Sequence, residues 1–124
     1  KFKYLDSWIA GRIKNAARYT AALKRPVRTP AVETGTKSVF HTYIIQAQRR
    51  DKLQQFLLDN GVETKIHYPI PLHFQKAAKS MGCGPGDFPV TEKQSKEILS
   101  LPVYPELTTK QIDYITGLIE RFYI

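Results

Sequence analysis

Phe2, Leu5, Ile9, Ile13, Ala16, Thr20 and Leu23 recur at intervals of three and four, which is one face of an α-helix. Trp8 and Ala17 widen that stripe, and Pro26 and Pro30 end the helix and open a loop. The pattern then changes. VFHTYIIQA (39–47) has the β-branched and aromatic content of a strand, with an apolar centre at Tyr43, Ile44 and Ile45. Asp51, with Gln54 three residues on, predicts a capping box and a short helix with Leu53, Phe56 and Leu57 inward. Asn60-Gly61 supplies its stop. VETKIHY (62–68) alternates, Val62, Thr64, Ile66 and Tyr68 to one side, Glu63, Lys65 and His67 to the other, and predicts a second strand. Strand, helix and strand make a βαβ-like unit whose pairing direction the pattern leaves open.

After Pro69 and Pro71, LHFQKAAKS predicts a short helix and MGCGPGD (81–87) a loop. Thr91 to Ser100 predicts a weakly amphipathic helix, its stripe interrupted by Gln94 and Ser95. LPVYP (101–105), bounded by prolines, suits an edge strand. Thr108 with Gln111 caps a last helix that turns Ile112, Ile115, Ile119 and Phe122 inward. The sum is an α/β (α+β) domain, a small mixed sheet of about three strands covered by helices. Its 124 residues suffice for one core.

At 42% hydrophobic and 24% charged, the composition is that of a globular domain and excludes a disordered or collagen-like chain. No apolar run approaches the roughly 20 residues of a membrane span, and no apolar segment of a signal peptide opens the chain. Cys83 is the single cysteine, so no internal disulfide forms, which fits a reducing, cytoplasmic setting. The helical pattern is already running at Phe2 with no capping residue ahead of it, so the expectation is a piece of a longer polypeptide.

The net charge is +8, and residues 1–28 carry most of it, with eight basic side chains against the single acid Asp6. Two readings follow: a solvated helix face, or a surface that meets phosphate. Phe2, Tyr4, Trp8 and Tyr19 interleave with these charges, but Trp8 falls on the apolar stripe, which is poor material for base stacking. A free-standing basic module for nucleic acid or a protein partner is the alternative to an enzyme domain.

No complete catalytic constellation is spelled out. Gly82-Cys83-Gly84-Pro85-Gly86 lacks the Lys-Ser/Thr ending of a phosphate-binding loop, and Cys83 has no adjacent base. His67 and His73 are separated by proline-stiffened backbone that spans up to roughly 20 Å when extended, too far for a shared metal. HYPIPLH (67–73) nonetheless joins two imidazoles and a phenol at the end of a predicted strand, where α/β sheets commonly place ligands.

From Leu5 to Tyr123 the succession LDSWIAGRIKNAARY, VFHTYII, VETKIHYPIPLH and GDFPVTEKQSKEILSLPVYPELT resembles the C-terminal domain of DegT/StrS-type (DegT/DnrJ/EryC/StrS) sugar aminotransferases. The resemblance implies the small domain of a fold-type I pyridoxal-phosphate enzyme. Residues 1–25 would be a connecting helix and 26–124 the α/β small domain, with the large cofactor-binding domain and its Schiff-base lysine outside this chain. Lys65, the only lysine in a predicted strand, stands in nothing like that lysine's motif. The implied activity is transfer of an amino group, from glutamate as donor, to a nucleotide-linked keto-sugar, in a cytoplasmic homodimer. It implies no nucleic-acid or membrane partner. His67, Tyr68 and His73 carry over as substrate contacts, with His41 of the FHTY match beside them. Gln46 stands where the family often has Arg, which weighs against a donor-carboxylate contact there. A relative that has lost the lysine and dehydrates its substrate is also compatible with these residues.

Overall fold

The computed structural model describes residues 1–124. A 3-10 turn at Phe2–Tyr4 leads into α1 (Leu5–Ala22), which buries Asn15, Ala16 and Tyr19. The chain then runs through β1 (Tyr43–Gln46), α2 (Arg50–Asp59), 3-10 turns at Leu72–Phe74 and Lys76–Met81, α3 (Pro89–Glu97), β2 (Ile98–Leu101) and α4 (Thr109–Tyr123). No helix is long and apolar enough to cross a membrane.

The sheet has two strands where the sequence predicts about three. β1 and β2 pair antiparallel, Tyr43 opposite Leu101 and Gln46 opposite Ile98. Single bridges extend the sheet on both sides, Arg28 to Gln46 and Lys65 to Ser100, both antiparallel. The segment 62–68 therefore runs parallel to β1 but is separated from it by β2. The predicted second strand is thus reduced to a single bridge, and β2 lies between it and β1. Only Lys65 of that segment enters the ladder. Pro69 and Pro71 follow with no N–H to extend it. Val62 and Thr64 face inward as the alternation predicts, whereas Tyr68 is 74% exposed. The last strand also falls earlier than LPVYP: α3 ends at Glu97, β2 follows at once, and Pro102 stops it.

A core of 17 buried residues joins the layers. β1 and β2 supply Tyr43, Ile45, Leu99 and Leu101, and α2 supplies Leu53 and Leu57. The strongly amphipathic α4 supplies Ile112, Ile115, Leu118 and Ile119. Thr108 and Gln111 form the predicted capping box. The one predicted for α2 is absent. Arg49 precedes that helix at φ 54 with no side-chain cap, and Gln54 donates to the Thr64 carbonyl at 3.3 Å. Phe56 sits at the rim, half-buried, its ring 5.5 Å from that of Phe122.

α1 crosses α4 and the loop after β2. Asn15 Nδ2 donates to the Tyr104 carbonyl at 2.8 Å, and a Cβ on Gly11 would stand 3.0 Å from Pro105 Cα and Cβ. Helix propensity alone would make Gly11→Ala stabilising by about 1 kcal/mol. With the loop tied down by Asn15, the overpacking cost of about 1–3 kcal/mol prevails, and the variant is expected to be less stable. Urea unfolding checks this; a higher midpoint would mean that the loop yields.

Candidate functional site

A cleft of about 250 Å³ opens along the outer side of β2, lined by His41, Thr42, Glu63, Lys65, His67 and Ser100 among others. Alternation builds it. Leu99 and Leu101 of β2 turn to the core, so Ser100 between them turns away. Lys65 lies directly opposite Ser100, each backbone N–H donating to the other residue's carbonyl at 3.2 and 2.8 Å. His67, two residues on, takes the diagonal position on the same face. Its Nδ1 lies 2.9 Å from Ser100 Oγ.

His41 arrives from the other side of β2. It is exposed, at the mouth of β1 and two residues before the fully buried Tyr43. Phe40 immediately before it holds φ 46, a left-handed backbone that a bulky side chain adopts only at a cost of about 1–3 kcal/mol. Phe40 N–H donates to Ser38 Oγ at 3.3 Å and its ring packs 6.1 Å from that of Tyr43, contacts that hold the turn. Tyr68 projects into solvent with its ring edge-on to His67 at 5.6 Å.

His73 does not join them. Its side chain is only 7% exposed, its ring lies 4.0 Å from Phe74 and 4.9 Å from Phe88, and its Nε2 is 3.2 Å from Glu92 Oε1. The same carboxylate oxygen accepts the Gly86 and Phe88 N–H groups at 2.8 and 3.3 Å. The Gly86 N–H, with Phe88 N–H and His73 adding to it, holds the Glu92 carboxyl below its ordinary range. His73 thus ties the 3-10 turns to the Gly-rich loop and the start of α3. Its side chain is buried and its Nε2 is committed to Glu92, so within this chain the imidazole holds the loop and does not face the cleft.

Of the four residues the sequence singles out, the structure brings His41 and His67 into one cleft, leaves Tyr68 at its outer edge, and turns His73 inward. Ser100 and Glu92 escape sequence reasoning. The signal for Ser100 was a hydroxyl interrupting the apolar run ILSL; for Glu92 there was none, since its partners lie in a loop. None of the basic residues of 1–28 lines the cleft.

The cleft's donor set does not fit pyridoxal phosphate on its own. Lys65 is its only lysine, and that ammonium pairs with Glu63 at 2.5 Å with both side chains mostly exposed. Lys65 in turn holds the Glu63 carboxyl below its ordinary range. No second carboxylate lines the cleft to meet a pyridinium nitrogen, and no arginine lines it to meet a phosphate.

Residues 1–120 match the family model described as the DegT/DnrJ/EryC1/StrS aminotransferase family. The chain is 44% identical over 127 residues to a pleiotropic regulatory protein of Geobacillus stearothermophilus, covering 99% of this chain and 34% of that one. It is 30% identical to a dTDP-3-amino-3,6-dideoxy-α-D-galactopyranose transaminase of Aneurinibacillus thermoaerophilus, covering 98% and 33%. The fold superposes with a TM-score of 0.92 on Streptomyces venezuelae DesV, solved in complex with a ketimine intermediate, at 29% identity over 98% of this chain and 33% of that one. The chain spans about a third of the length of the curated relatives it matches.

Proposed function

This chain belongs to the DegT/DnrJ/EryC1/StrS aminotransferase family, and on that footing we propose that it forms the substrate-facing small domain of a nucleotide-sugar aminotransferase. Aminotransferases of this family depend on pyridoxal phosphate. Because the cleft of this chain does not fit that cofactor, we assign its holding groups, the Schiff-base lysine included, to polypeptide outside residues 1–124. The cleft at β2 then forms one wall of the reaction chamber, in a cytoplasmic homodimer that takes its amino group from glutamate.

The observation that carries this reading is the meeting of His41 and His67, far apart in sequence, on the open side of β2. Two imidazoles and the Lys65 ammonium present donors to oxygen-rich groups, the hydroxyls of a sugar and the phosphates of a nucleotide. Tyr68 offers an exposed aromatic face at the rim for a pyranose or base. In the full-length protein loaded with pyridoxal phosphate, a dTDP- or UDP-linked keto-sugar and glutamate are expected to yield the amino sugar and 2-oxoglutarate. Stripping the cofactor is expected to abolish the reaction and restoring it to recover it. Failure of the loaded protein to aminate any such sugar defeats the reading.

A further inference from the structure

Ser100 occupies a position where a serine needs explaining. It is 6% exposed, in the middle of the strand Ile-Leu-Ser-Leu, and its backbone N–H and carbonyl are both spent on Lys65. Its hydroxyl has one hydrogen-bond partner, His67 Nδ1 at 2.9 Å. A buried hydroxyl must place its proton somewhere, and no carbonyl or carboxylate is in reach to take it. We propose that Ser100 is a positioning residue that fixes His67 as the tautomer protonated on Nε2, so that the ring presents a hydrogen-bond donor to an oxygen of the sugar substrate.

The chemistry follows from the two ring nitrogens. Ser100 Oγ–H donates to Nδ1, which must then be unprotonated and accepting. The ring's single proton sits on Nε2, for which the chain offers no partner. The second nitrogen of a histidine is commonly set this way by whatever the first one bonds. The lock is rigid because Ser100 sits on a strand paired on one side to β1 and bridged on the other to the residue two before His67. Without it, the imidazole exchanges between tautomers and between ring orientations, and only some of these donate to the substrate. This inference rests on the reading of the cleft as a sugar-binding wall.

The test separates the two. The holoenzyme is labelled with 15N-histidine, and the His67 signals are assigned as those lost in His67→Gln. In the wild type the His67 ring nitrogens are expected to show the shift pair of the Nε2–H form at neutral pH. Ser100→Ala is expected to move them towards the average of exchanging tautomers, and Ser100→Thr, which keeps the hydroxyl, to restore them. In the holoenzyme Ser100→Ala is expected to raise KM for the nucleotide-sugar about five- to tenfold with KM for glutamate unchanged, the scale of one hydrogen bond. A wild-type His67 carrying its proton on Nδ1, or on both nitrogens, overturns the proposal. So does a Ser100→Ala variant whose His67 signals do not move. If the signals move as expected but neither Ser100→Ala nor His67→Gln changes sugar kinetics, the tautomer assignment stands while its substrate role falls, and the sugar-wall reading falls with it.

Discussion

Tyr43→Ala is expected to destabilise the protein by about 3–5 kcal/mol, the range for deleting a large buried ring. Tyr43 is fully buried at the start of β1, its ring stacked 5.0 Å from Tyr19 of α1 and 6.1 Å from Phe40. Removing it empties the junction of helix and sheet and forfeits two aromatic pairs, each worth about 0.5–1.5 kcal/mol beyond area burial. The hydroxyl is a smaller matter. Thr20 Oγ1 donates to the Ala16 carbonyl at 3.0 Å and accepts from Tyr43 at 2.8 Å. Tyr43→Phe therefore loses one hydrogen bond, about 1 kcal/mol. Burial raises the Tyr43 phenol above its ordinary value, so the hydroxyl keeps its proton throughout the neutral range. Urea unfolding followed by far-UV dichroism measures both variants. A Tyr43→Ala midpoint close to that of Tyr43→Phe would mean that α1 packs without this ring. Since domains of this kind are stable by about 5–15 kcal/mol in total, the alanine variant sits near the edge of folding. The loss also reaches the cleft, because His41 hangs from the same turn as Phe40 and Tyr43.

Helices were legible in the sequence because their signal is local. Ile112, Ile115 and Ile119 repeat at helical spacing behind a Thr108–Gln111 capping box, and α4 forms there. Strands were legible as apolar runs but not as partners. Nothing in VETKIHY reveals that a segment more than thirty residues later will insert between it and β1, because pairing is a long-range choice made by the whole core. Gln54 shows the same limit: its spacing from Asp51 reads as a cap, yet the folded chain brings the Thr64 carbonyl within reach and that contact wins. The site divides similarly. Resemblance pointed to His41 and His67, and both line the cleft. It gave His73 the same standing, since a motif records which residues recur and not which way their side chains turn. Phe74, Phe88 and Glu92 turn that ring inward, and two of those three lie more than fourteen residues away along the chain.

That division has a kinetic consequence. His67→Ala in the holoenzyme is expected to lower kcat/KM for the nucleotide-sugar about 5- to 10-fold, the worth of a hydrogen bond of about 1–1.5 kcal/mol between uncharged groups. Its effect on stability is small: the residue is exposed, and its one anchored nitrogen is held by a hydroxyl that the vacated space lets water reach. His73→Ala reverses the pattern. It removes a ring enclosed by Phe74 and Phe88 and strips one donor from a carboxylate that also holds Gly86 and Phe88. Its cost falls on the loop 82–88 and the start of α3, about 2–3 kcal/mol of local stability by the scale for a buried side chain. Limited proteolysis is expected to cut this variant in the Gly-rich loop while the His67→Ala protein resists. Loss of sugar kinetics in His73→Ala with unchanged protease resistance would return that imidazole to the substrate. Unchanged kinetics in His67→Ala would leave the cleft without its principal donor, and the hydroxyl of Ser100 with nothing to position.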